Sequence, residues 1–103
     1  SVGRFYQEKG KHLAALNRFK RVVKAYEQTS QAPEALYRLT ETYFALGLDD
    51  QAQKSAAVLG HNYPDSDWYT HAYGLLTKKG YLENGVWKDE EGGILDTLKS
   101  AFN

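Results

Sequence analysis

Residues 4–26, RFYQEKGKHLAALNRFKRVVKAY, align without a gap on residues 41–63, ETYFALGLDDQAQKSAAVLGHNY, when the second stretch is moved back 37 positions. Under that shift Tyr6 falls on Tyr43, Gly10 on Gly47, Ala15 on Ala52, Val22 on Leu59 and Tyr26 on Tyr63. Each pair keeps its structural type, so the chain contains a repeat. Within the first unit, Ala15, Leu16, Phe19, Val22, Val23 and Tyr26 recur at three- and four-residue steps, the single apolar stripe of an amphipathic helix. Asn17, Arg18, Arg21, Lys24 and Ala25 take the opposite face.

Glycine tolerates the left-handed backbone that ends a helix, so Gly10 and Gly47 are each expected to close one helix in a tight turn. Asp49 is expected to cap the next helix. Pro33 suits a first helical turn after Thr29 and Ser30, and Pro64 with Asp65 and Ser66 stops one helix and starts another. Five helices are expected, near 1–9, 12–26, 33–46, 49–62 and 66–79. Antiparallel helix pairs with glycine at the turn, repeating at about 34 residues, follow the tetratricopeptide pattern, which also puts a small residue early in the second helix. Ala15 and Ala52 hold that place, whereas Thr40 stands where a small glycine is usual. The fold class is therefore all-α, tetratricopeptide-like helical hairpins in a short right-handed superhelix with an irregular C-terminal extension. The repeats occupy 1–80. In 81–103 a loop leads to a short amphipathic helix carrying Ile94, Leu95, Leu98 and Phe102. That tail is expected to cover the open end of the array, with docking on a partner as the alternative.

Thirteen Lys and Arg balance thirteen Asp and Glu, so net charge calls for neither nucleic acid nor an anionic membrane. The distribution is polarised. Residues 1–28 hold seven basic side chains against Glu8 and Glu27, while 29–67 hold two basic and six acidic ones. Without cysteine there is no disulfide framework and no thiolate chemistry. No apolar run reaches the roughly 18 residues a membrane span needs, and SVGRFYQEKG lacks the apolar region of a signal peptide. An apolar pattern that begins uncapped at Val2 suggests a piece of a longer protein.

The titratable residues form no catalytic constellation. His12, His61 and His71 lack partners at metal-ligand spacing, and Gly92 and Gly93 follow acidic residues rather than forming a phosphate loop. Neither an enzyme nor a cofactor is expected. In tetratricopeptide arrays the first helix of each pair lines the concave side, where Arg4, Gln7, Glu8, Glu34, Tyr37, Glu41 and Phe44 would form a peptide groove or a solvated face.

Val2 to Tyr69, especially YQEKGKHLAALNRFKRVVKAY, APEALYRLTETYFALGLDDQA and AAVLGHNYPDSDWY, closely resembles the C-terminal part of BamD-like (ComL-like) outer-membrane lipoproteins. The resemblance weakens from Lys78 onward. It implies a non-catalytic scaffold on the periplasmic face of the bacterial outer membrane, lipid-anchored through an N-terminal cysteine that this stretch lacks. It implies docking on the POTRA domains of BamA and on smaller Bam lipoproteins, with unfolded outer-membrane proteins met by the N-terminal repeats. Asn17 and Arg18 fall where the family presents an arginine to BamA, and with Arg21 and Lys24 they form the expected contact. A CpoB-like partner of the Tol-Pal system is one alternative, though regular repeats would then continue past Pro64. A generic peptide-binding adaptor is another, but a clamp for acidic peptides needs a basic concave face, against Glu34 and Glu41.

Overall fold

The structure, a computed structural model, describes residues 2–25 and 29–88, with the backbone alone at 2, 3, 5, 6 and 25. Four helices and a small hairpin follow one another: α1 (Val2–Ala25), α2 (Gln31–Ala45), α3 (Asp49–Asn62), α4 (Asp67–Lys78), β1 (Leu82–Glu83) and β2 (Val86–Trp87). Tyr26 and the amphipathic tail from Ile94 to Phe102 lie outside the described residues.

The pair α2–α3 is the helical hairpin that the repeat predicts. Gly47 takes φ +76° and closes α2, with the Leu48 amide donating to the Tyr43 carbonyl at 2.9 Å. Such a bond satisfies a carbonyl that the helix end would otherwise leave without a partner. Ala52, fully buried, lets the two helices approach. Leu36, Leu39 and Tyr43 from α2 meet Ala56 and Leu59 from α3, and Ala72 and Leu76 of α4 close the core. Thr40 is tolerated in place of glycine because its hydroxyl donates to the Leu36 carbonyl at 2.8 Å, so no polar group is buried unpaired. α4 begins at a serine cap, with Ser66 Oγ accepting from the Trp68 amide at 3.1 Å.

Several expectations are corrected. α1 does not break at Gly10 but runs as one 24-residue helix, so the described residues hold four helices rather than five. Glycine inside a helix costs about 1 kcal/mol relative to alanine, less than the hydrogen bonds lost at two new helix ends. Nothing lies within 4 Å of where a Cβ on Gly10 would stand, so no packing forces a turn there. Ala15 accordingly stays half-buried, unlike its counterpart Ala52. α2 starts at Gln31, ahead of Pro33. Asp49 is the first residue of α3 rather than its cap, and its carboxylate accepts from the Tyr81 hydroxyl.

The segment read as a loop after Gly80 contains the antiparallel pair β1–β2, with Leu82 facing Trp87 in register and Asn84 and Gly85 at φ +53° and +79° in the turn. Positive φ at both central residues suits the right-handed twist of the flanking strands, and asparagine–glycine provides it. The hairpin lies against the end of the core: Leu82 is buried, and the Tyr81 ring stacks on Phe44 at 5.9 Å.

Candidate partner interface

On α1, Leu16 is buried and Phe19 and Val23 pack on the core, which turns Asn17, Arg18, Arg21 and Lys24 outward into an exposed row. Arg18 does not stand wholly opposite the apolar stripe. Its guanidinium carbon lies 5.0 Å from the centre of the Phe19 ring, and together with Phe19 and Val22 it lines a groove of about 390 Å³. Across that groove stand Gln31, Glu34, Ala35 and Arg38 of α2. A long arginine stem can lie on apolar surface while its head stays wet, so the groove has an apolar floor with a guanidinium at its rim.

The residues expected on a concave face do not form one groove. Arg4, Gln7 and Glu8 are exposed along the first half of the straight α1, where Glu8 pairs with Lys11 at 3.8 Å. Glu34, Tyr37 and Glu41 share one side of α2. Phe44 is buried, only 9% exposed, because Tyr81 covers it and Lys79 Nζ sits 4.7 Å above its ring. It serves the core rather than an open groove.

Around Tyr37 the structure assembles residues that no single helix pattern reveals. The rings of Tyr37, Trp68 and His71 lie 5.6–5.9 Å apart, pairwise. Over two of them spreads Arg38, 5.6 Å from the Tyr37 ring centre and 5.1 Å from that of Trp68. Glu41 accepts from its Nη1 at 2.9 Å, and Glu34 lies 3.6 Å from its Nε. Burial, then the neighbouring Glu41 carboxylate, push the Tyr37 hydroxyl above its ordinary pKa, while the same carboxylate raises that of Arg38. Arg38 was legible as a salt-bridge partner, three and four residues from its carboxylates. Trp68 and His71 come from α4, so only the tertiary fold brings them in.

Among the described residues no group of three or more His, Asp or Glu is arranged to hold a metal, and no helix is long and apolar enough to cross a membrane. Every buried side-chain nitrogen and oxygen among them has a hydrogen-bond partner. The described surface carries a basic row, an apolar groove and an aromatic cluster.

Comparison with known proteins gives a consistent result. Residues 1–59 match the model of the YfiO family, described as outer membrane lipoprotein. The chain is 52% identical over 75 residues to an outer membrane protein assembly factor BamD of Rickettsia prowazekii, covering 73% of this chain and 30% of that protein. It is 46% identical over 80 residues to the BamD of Caulobacter vibrioides, covering 78% and 26%. With the BamD of Neisseria meningitidis serogroup A it shares 36% over 73 residues, 71% and 27%. The chain thus spans less than a third of the length of these curated relatives. No solved structure matches it significantly.

Proposed function

The chain belongs to the YfiO family of outer membrane lipoproteins, and from that premise we propose that it is the docking part of an outer membrane protein assembly factor. It acts as a non-catalytic scaffold, held at the periplasmic face of the outer membrane by a lipidated cysteine elsewhere in the full protein. Its partners are the POTRA domains of BamA and the smaller Bam lipoproteins, while unfolded barrel proteins are met by repeats outside this stretch.

The observation that carries the reading is the exposed row Asn17, Arg18, Arg21 and Lys24 beside the groove of Phe19, Val22 and Ala35. A solvated basic face would need no such neighbour. A guanidinium at the edge of an apolar groove is suited to a carboxylate that enters with apolar side chains, where a two-pronged hydrogen bond is formed out of water.

The test is made in cells, with the full-length protein carrying Arg18→Glu. Its abundance and folding should stay as in the wild type, because Arg18 is exposed. Its co-purification with BamA should fall by a factor of about 30, the equivalent of roughly 2 kcal/mol for a desolvated charge pair. Undiminished recovery of BamA with the charge-reversed protein would overturn the assignment of this face.

A further inference from the structure

The aromatic cluster on α2 and α4 is more than packing requires. Tyr37 and Trp68 are half-buried and His71 is exposed, so part of the plate they form faces water. Trp, Tyr and Arg are the residue types that dominate binding energy in protein interfaces, and here they are already locked in place. The chain's own Arg38 shows that the plate attracts a cation, since its guanidinium lies over both the Tyr37 and Trp68 rings.

The charge around the plate is not balanced by that arginine. Glu34 and Glu41 both contact Arg38, with side chains half exposed at 51% and 40%. Asp67 stands in the first turn of α4, next to Trp68 and one helical turn before His71, on the same side of the helix. Two carboxylates therefore share one guanidinium, and Asp67 adds a third negative charge beside Trp68. An incoming cation meets an aromatic face and an excess of negative charge, whereas an incoming carboxylate would be repelled.

We propose that the plate of Tyr37, Trp68 and His71, rimmed by Glu34, Glu41 and Asp67, is a second docking site, one that takes a lysine- or arginine-bearing segment of a partner protein. It lies beside the Arg18 groove, since Glu34 and Arg38 belong to both, but its charge preference is the reverse. The surface as a whole then receives acidic chain on the α1 side and basic chain on the α4 side. This sets the orientation of whatever lies across it. The site does not depend on which partner the Arg18 row engages.

The probe is a tetra-arginine peptide titrated into the whole chain, with tetra-glutamate as its control, read by Trp68 fluorescence in a Trp87→Phe background. The arginine peptide should change the emission saturably and the glutamate peptide should not. Glu34→Gln with Asp67→Asn, both at exposed positions, should weaken binding about two- to fivefold, the size of lost exposed ion pairs. Arg18→Glu should not weaken it, which separates this site from the docking face proposed above. A response absent for tetra-arginine, unchanged in the double variant, or lost with Arg18→Glu would overturn the proposal.

Discussion

The two alanines of the repeat make the clearest statement at the level of single residues. Ala52 is wholly covered because α2 folds back over it, whereas Ala15 is half-buried because α1 continues straight. Ala52→Leu should therefore lower stability by about 1–3 kcal/mol through overpacking. Ala15→Leu should cost clearly less, under about 1 kcal/mol, because Ala15 is only half-buried. Chemical denaturation of the two variants measures the difference, and equal losses would mean that α1 is covered where the structure leaves it open. The sequence makes Ala15 and Ala52 look equivalent because their neighbours within ten residues are alike. What separates them is whether the preceding helix folds back, and Gly10, which permits a turn without requiring one, does not decide that. Phe44 misleads for a related reason: its helical position points outward from the α2–α3 pair, but Tyr81, 37 residues away, covers it.

Among the elements, the hairpin β1–β2 was the least legible. Its asparagine–glycine signal is strong, but two residues per strand leave no alternation to read. The packing shows what it contributes. Leu82 is 3% exposed and Phe44 lies under Tyr81, so Leu82→Ala should cost about 2–5 kcal/mol, measurable as a lowered thermal midpoint. The anchoring bond from Tyr81 to Asp49 also makes the fold sensitive to alkali. Hydrogen bonding to the Asp49 carboxylate, with burial, raises the Tyr81 pKa, and burial foremost raises those of Tyr37 and Tyr69. A group whose folded pKa exceeds its unfolded value contributes stability that is complete below the unfolded value, about 10 for tyrosine. That contribution is lost as pH rises through the folded value. The thermal midpoint should hold steady from about pH 7 to 9 and fall above about 10, with a shallower fall in Tyr81→Phe. An identical alkaline fall in that variant would show that the bond to Asp49 does not anchor the hairpin.

Across the whole molecule, charge and shape run together. Seven basic side chains against two acidic ones lie in residues 1–28, mostly along α1, and the acidic residues follow on α2, α3 and the start of α4. A polarised body of this kind steers a partner into one orientation before contact, and salt screens that steering over about 8 Å at physiological ionic strength. If the proposed docking on the POTRA domains holds, raising salt from about 0.05 to 0.5 M should slow that association while changing dissociation far less. Stopped-flow fluorescence would separate the two rates, and a salt-independent association rate would remove steering from the account. The α2–α3 hairpin was legible because it rests on local periodicity, whereas the matching break at Gly10 in the first unit did not form and α1 runs on as one helix. The shared groove of Arg18 with Glu34 and Arg38 was not legible, because it depends on how α1 lies against α2. The central claim, that this surface docks on BamA, is tested most directly by titrating the chain into the isolated POTRA domains in a calorimeter. The account predicts saturable one-to-one binding in about the micromolar range or tighter, and no detectable binding at about 100 μM of each protein would contradict it.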